Sequence, residues 1–297
     1  MSAGAAEVRA GRRRVRVTHP DRVMFPSGVT KLELAEHYAR VAESMVPHVR
    51  GRPVTMHVFP GGVEAGGFVV KQVQRHFPEW VDRVEVPKRK GTVTHVVANR
   101  ADTLVYLAGQ NCVTPHVWLS RADRPRSPDR LIFDLDPEHE RFAEVRAAAR
   151  ALGDVLRGLG LAPHAMTTGS RGLHVTVPLR RTRSFEEVHA FARAVGERLV
   201  EQHPRALTME WRRRDRGDRI YVDVNRNAYA QHAAAPWAVR PRPEAPVAVP
   251  LRWEELSDRS LSPRRWTVRD VADRLEAEGD PWRGIAGEAK ALLRAPR

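Results

Sequence analysis

The chain of 297 residues has a single cysteine, Cys112. That excludes an internal disulfide and every all-cysteine metal site, and a lone thiol in an apolar stretch reads as a small buried side chain in a reducing compartment. Long apolar runs are missing as well. No stretch approaches the roughly 20 residues needed to cross a bilayer, and the arginine-rich start is not followed by a signal-like apolar segment. A soluble, cytoplasmic protein with no membrane partner is expected. Negative charge is also scarce: 50 Lys and Arg stand against 36 Asp and Glu, a net charge of +14. Such a surface attracts polyanions, nucleic acid first among them. A GC-rich genome would explain arginine over lysine but not the uncompensated positive balance. No internal repeat or long linker is present, and the apolar content suffices for one large α/β unit or two intimate lobes.

Residues 1–14 are small and basic, with Arg9, Arg12, Arg13 and Arg14, and read as a disordered arm ahead of a single domain over 15–297. Thr30 and Glu33 have capping-box spacing, and Leu34, Tyr38, Val41, Met45 and Val49 recur at helical intervals until Gly51 and Pro53. Strands are expected at 54–59, 68–73, 93–98 and 103–107. Phe142, Val145, Leu152, Leu156 and Leu159 predict a helix over 140–159. Ser184 and Glu187 cap another that carries Val188, Phe191, Val195 and Leu199. Further strands are expected at 173–179 and 219–224, and five prolines between 236 and 250 suggest an extended strap over the fold. A helical segment over 267–294 is interrupted at Gly279, Pro281 and Gly284.

Residues 131–137, Leu-Ile-Phe-Asp-Leu-Asp-Pro, carry the strongest chemical signal. On an extended strand Asp134 and Asp136 project to one face while Phe133 and Leu135 pack on the other. Pro137 cannot donate to a sheet ladder, so the strand should end there with its carboxylates at the edge. Two neighbouring carboxylates need a cation or a shared proton to offset their repulsion, and a divalent metal is the better answer. Asp223 lies between Val222 and Val224 on another apolar strand, where a carboxylate also requires a cation. A third metal ligand fits, and so does an ion pair with an arginine of 212–219.

Residues 167–174, Thr-Thr-Gly-Ser-Arg-Gly-Leu-His, have the composition of an anion cradle. Glycines at 169 and 172 allow close backbone approach, and Ser170, Arg171 and His174 can donate to phosphate oxygens. The Gly-Lys-Ser/Thr ending of a Walker loop is absent. An ordinary turn with a strand histidine is the plainer alternative.

The acidic strand, the Ser-Arg-Gly-Leu-His loop and the Val-Asp-Val strand, in that order, resemble the archaeo-eukaryotic primase superfamily. The likeness is to the polymerase module of bacterial non-homologous end-joining ligases, especially stand-alone forms, and runs from about residue 16 to 282. It implies a mixed α/β fold, a two-lobed primase-polymerase core with central β-sheets flanked by helices. It assigns Asp134, Asp136 and Asp223 to two divalent ions, commonly Mn2+ with Mg2+ as the alternative. Ser170, Arg171 and His174 match triphosphate contacts, with Arg171 where Lys is usual. His116, in Thr-Pro-His-Val-Trp, and Arg240 match further nucleotide-binding positions. Arg22 and Lys31 match a pocket for a DNA 5′-phosphate.

The resemblance implies template-directed addition of nucleotides, with ribonucleotides preferred, to a primer 3′-hydroxyl at gaps or breaks. Its implied partners are primer-template or gapped DNA, nucleoside triphosphates, and an end-joining ligase and Ku in trans, at the nucleoid. Met56, His57 and Val58 depart from a basic run common in the family, Phe68 and Val69 replace paired aromatics, and Asn225-Arg226-Asn227 stands where Ser-Gln-Asn is common. Two other readings compete. A haloacid-dehalogenase-type phosphatase also opens with an apolar strand and Asp-x-Asp, but with Gly-Thr after the second Asp, near the start of a domain; here Pro137 and Glu138 follow, mid-chain. A DNA-end scaffold with weak catalysis would suit the altered 56–58 segment.

Overall fold

The computed structural model describes residues 4–88 and 90–292. In chain order they form β1 (Ala5–Ala10), β2 (Arg13–Thr18), α1 (Lys31–Arg40), α2 (Ala42–Val49), β3 (Pro53–Val58), β4 (Phe68–Val70), β5 (Arg83–Pro87), β6 (Thr92–Val97), α3 (Ala101–Gly109) and β7 (Cys112–Trp118). There follow β8 (Arg130–Asp136), α4 (Phe142–Gly158), β9 (His164–Thr167), β10 (Leu173–Pro178), α5 (Phe185–Gln202), β11 (Leu207–Thr208) and β12 (Ile220–Asp223). Last come β13 (His232–Ala234), β14 (Pro250–Leu251) and α6 (Val271–Glu278). Two compact units result, one from Met1–Asp123, His232–Ala248 and Trp266–Asp280, the other from Arg124–Gln231, Val249–Arg265 and Pro281–Arg297. The class is mixed α/β, and among the described residues no helix is long and apolar enough to cross a membrane.

In the first unit, strand order is β13-β7-β3-β6-β5 with β4 added on β3. The segment expected as a disordered arm is instead a hairpin from residue 5 onward, Ala5 pairing with Thr18 and Ala10 with Arg13. Val8, Ala10, Val15 and Val17 are buried, and Arg13 reaches the buried Asp102 carboxylate at 2.9 Å. Arginine density had hidden a period-two apolar pattern; residues 1–3 of that segment lie outside the described residues. The Thr30–Glu33 capping box is present, with Glu33 N–H donating to Thr30 Oγ1 at 3.2 Å and Thr30 N–H to Glu33 Oε2 at 2.8 Å. The helix it opens is split at Val41, which ends α1 and starts α2.

The strand expected at 103–107 is the helix α3, burying Leu104, Val105, Leu107 and Ala108. A short apolar run without alternation suits a buried helix as well as a strand. The 236–248 part of the expected strap is core rather than cover: Trp237, Ala238, Val239, Ala245, Val247 and Ala248 are all buried. The helical segment near the C-terminus is reduced to α6 and a short 3-10 turn, Ile285–Glu288; residues 293 and 294 lie outside the described residues.

The second unit is a six-stranded sheet in the order β11-β12-β8-β10-β9-β14, antiparallel except for the β11–β12 pair. Leu131, Phe133 and Leu135 of β8 are fully buried, and α4 and α5 pack on the sheet through Val145, Leu152, Leu156, Val188, Phe191, Val195 and Leu199. The second capping box holds the start of α5, Ser184 N–H donating to Glu187 Oε2 at 2.8 Å. With the odd positions of β8 in the core, its even positions face the other way.

Candidate active site

β8 lies between β12 and β10, and the register fixes what stands beside its carboxylates. Asp223 of β12 is directly opposite Asp134, and on the other side His174 of β10 is opposite the same Asp134. Directly opposed residues of antiparallel strands project to one face, so His174, Asp134 and Asp223 form a row across three strands. Asp136, two residues along, shares that face. The long excursion between Asp134 and Asp223 thus returns the third acid to the side of the first.

Asp136 and Arg171 form an ion pair in which Arg171 Nη2 donates to both carboxylate oxygens, at 3.1 and 3.3 Å. Burial first, and Asp134 second, push the Asp136 carboxyl above its usual range, while Arg171 opposes them. His174 Nε2 stands 3.6 Å from Asp134 Oδ2, and its other ring nitrogen, Nδ1, is buried without a hydrogen-bond partner.

The loop carrying Ser170 and Arg171 is the turn of the β9–β10 hairpin. Thr168 Oγ1 staples it, donating to Gly172 O at 3.0 Å and accepting from the backbone N–H groups of Ser170 and Gly172 at 3.3 and 3.2 Å. Gly169 has φ of +63°, a region that favours glycine. Gly172 is required for a different reason: a Cβ there would lie 2.0 Å from Leu135 O. The turn is pressed against the end of β8, and this close approach places Arg171 on Asp136.

Asp223 accepts from Asn225 N–H at 2.8 Å and from Tyr221 Oη–H at 3.4 Å, both on Oδ1. No arginine of 212–219 pairs with it among the described residues; Arg216 instead donates to Glu138 Oε1 at 2.6 Å and stacks 3.9 Å from the Tyr221 ring centroid. Burial and Asp223 push the Tyr221 phenol up to about 12, which keeps it a donor. Asn227, fully buried, prolongs the sheet edge beyond β12 with its side chain: Ile132 N–H donates to Asn227 Oδ1 at 2.9 Å, and Asn227 Nδ2 donates to Ile132 O at 2.7 Å. Tyr221, Asn225 and Asn227 were not singled out as supports of the acidic row. The Val-Asp-Val-Asn-Arg-Asn run was the available signal, but their partners become apparent only with strand register.

Among the described residues no group of three or more His, Cys, Asp or Glu side chains forms a ready metal cage. Arg171 holds Asp136, and Asn225 and Tyr221 hold Asp223. The donor set nevertheless fits a hard divalent cation, since it consists of carboxylate oxygens on one face, half-buried and mutually repulsive, with an orphaned imidazole nitrogen beside them.

His116 and Arg240 belong to the first unit. His116 on β7 faces Thr55 on one side and Ala234 on the other, with its ring 6.1 Å from His57 and 5.2 Å from His232. Burial and the Arg240 charge lower the His57 pKa. Arg22 and Lys31, also in that unit, are brought together: Lys31 N–H donates to Arg22 O at 2.8 Å and Arg22 Nη1 to Pro60 O at 2.7 Å. Burial and the Arg22 charge lower Lys31 to about 8. Phe68 and Val69, the altered aromatic pair, are both exposed.

The family described as LigD, primase-polymerase domain, matches residues 30–282. The multifunctional non-homologous end joining DNA repair protein LigD of Mycobacterium tuberculosis (H37Rv) is 33% identical over 298 residues, 97% of this chain and 39% of that protein. LigD of Pseudomonas aeruginosa is 32% identical over 303 residues, 100% of this chain and 35% of the relative. The chain thus spans less than half the length of these relatives. Among solved structures, the polymerase domain of Mycobacterium tuberculosis ligase D in complex with DNA aligns with a TM-score of 0.87 and 32% identity, over 93% of this chain and 99% of that one. An acidic row on β8 and β12, a hairpin cradle beside it and a family match across most of the chain lead to one assignment: this protein belongs to the LigD primase-polymerase domain family, nucleotidyltransferases of the archaeo-eukaryotic primase superfamily.

Proposed function

We propose that the chain is a template-directed polymerase of break repair, adding nucleotides, ribonucleotides by preference, to a primer 3′-hydroxyl at DNA gaps or ends. In the reaction the 3′-oxygen bonds to the α-phosphorus of the incoming nucleotide, the bond from that phosphorus to the β-phosphate bridge breaks, pyrophosphate leaves, and the hydroxyl proton passes to solvent. The observation that carries this reading is the cross-strand row of Asp134, Asp223 and His174 with Asp136 on the same face. Asp134, Asp136 and Asp223 would hold two divalent ions, Mn2+ or Mg2+, which when bound neutralise charge on the triphosphate and lower the pKa of the attacking hydroxyl.

We assign donation to phosphate oxygens to His174, whose Nδ1 is unpartnered, and to the hairpin residues Ser170 and Arg171. His116 and Arg240 are assigned to nucleotide binding, and Arg22 with Lys31 to a DNA 5′-phosphate. The net charge of +14 suits a DNA partner, and the solved relative is a complex with DNA. Since the relatives are end-joining proteins, we place the chain beside a ligase and Ku in the cytoplasm, at the nucleoid. The phosphatase and scaffold readings draw no support from the family match. Extension of a primer across gapped DNA, with ribonucleotides or deoxynucleotides and with or without a 5′-phosphate, tests the proposal. Faster ribonucleotide addition that depends on Mn2+ and on the 5′-phosphate supports it; phosphate release from small esters without primer extension overturns it.

A further inference from the structure

The Arg171–Asp136 pair raises a question that the triphosphate role alone does not answer. A guanidinium seated on a metal-ligand carboxylate competes with the metal, and a guanidinium seated on a carboxylate is not offered to phosphate. We propose that Arg171 is an exchangeable counter-ion: it occupies Asp136 until a divalent cation takes that carboxylate, and the released guanidinium then becomes a polyphosphate donor. Metal and polyphosphate binding are thereby coupled through one side chain. This rests on the metal-holding reading of the three aspartates.

Three observations support the exchange. The contact is built to separate, because Arg171 commits one terminal nitrogen, Nη2, to both Asp136 oxygens rather than presenting its two-pronged fork. Both side chains are about a third exposed, so either can find a new partner without being dragged from a dry interior. The backbone beneath need not move, since Thr168 and the Gly172 approach to Leu135 fix the turn independently of Arg171. His174, opposite Asp134 on β10, has a buried Nδ1 without a hydrogen-bond partner. Coupling of this kind is reciprocal: whatever metal does for polyphosphate affinity, polyphosphate does for metal.

The test uses the whole chain and two readouts other than turnover. Free Mn2+ is followed by electron paramagnetic resonance during titration with the metal alone, in wild type, Arg171→Ala and Arg171→Gln. Removing the competitor should tighten Mn2+ binding about fivefold, of the order expected for a partly exposed charged pair. Separately, binding of inorganic tripolyphosphate is measured by calorimetry with metal chelated. Asp136→Asn frees Arg171 and should tighten tripolyphosphate more than Asp223→Asn, which removes the same charge without freeing it. Adding Arg171→Ala to Asp136→Asn should abolish that extra gain. Mn2+ held through Asp134 but bound equally or less tightly in both Arg171 variants overturns the coupling alone. Mn2+ binding indifferent to Asp134→Asn overturns the metal reading and the coupling with it.

Discussion

Gly172→Ala probes the placement of the hairpin turn, on which the geometry of the site depends. Its Cβ would sit 2.0 Å from Leu135 O and 3.0 Å from Leu135 C, atoms of a buried strand backbone that has no rotamer to change. The turn must therefore retreat by about 1 Å or more, and forced overpacking of this kind costs roughly 1–3 kcal/mol. We place the variant at the upper end because the obstruction is backbone. With about 2–4 °C of melting temperature lost per kcal/mol in a domain of this size, the expected fall is roughly 6–12 °C. The same retreat lifts Arg171 from Asp136, and a misplacement of about 1 Å in a positioning group costs on the order of 100-fold in rate. Gly158→Ala is the matched control: it ends α4 with no atom within 4 Å of the added methyl, and should be neutral or stabilising by about 0.5–1 kcal/mol. Calorimetry with single-nucleotide addition kinetics reads both effects. Wild-type melting and wild-type kcat/KM in Gly172→Ala would refute the reasoning.

Asn227→Ala should lower stability by about 2–4 kcal/mol in urea titration, since it leaves Ile132 N–H and C=O buried without their partner; a loss below about 1 kcal/mol would show that water replaces the side chain. Lys31, lowered to about 8, should hold a 5′-phosphate in its charged form, so the affinity advantage of 5′-phosphorylated DNA fades as pH rises through about 8. The stability effect has the opposite trend: between about 8 and the unperturbed value of 10.5 the folded state releases a proton that the unfolded chain keeps, so Lys31 becomes less costly to the fold as pH rises. Anisotropy with phosphorylated and unphosphorylated ends measures the first effect, and an advantage that persists undiminished well above pH 8 would remove Lys31 from the contact.

Some of this was legible in the sequence because it is local. Thr30 with Glu33 and Ser184 with Glu187 cap helices through bonds spanning three residues, and Asp134 with Asp136 share a face by strand period alone. The errors have physical causes. Residues 103–107 carry an apolar run too short to reveal its period, and arginines crowd the hairpin of β1 and β2 until its inward valines are hard to see. The prolines of 236–250 suggested an exposed strap, yet alanine, valine and Trp237 make its first-unit part core. What sequence could not supply was register. Opposition of Asp223 to Asp134, Asn227 standing in for a strand, and Gly172 pressing on Leu135 all depend on residues distant in the chain meeting in the sheet.

The most direct measurement of the central claim is single-nucleotide addition to gapped DNA by Asp134→Asn and Asp223→Asn, alone and combined, with DNA affinity followed in parallel. Because the two side chains belong to one row, each single variant should lose nearly all addition, the double variant little more, and DNA binding should be retained. Addition at the wild-type rate by Asp223→Asn would contradict the account.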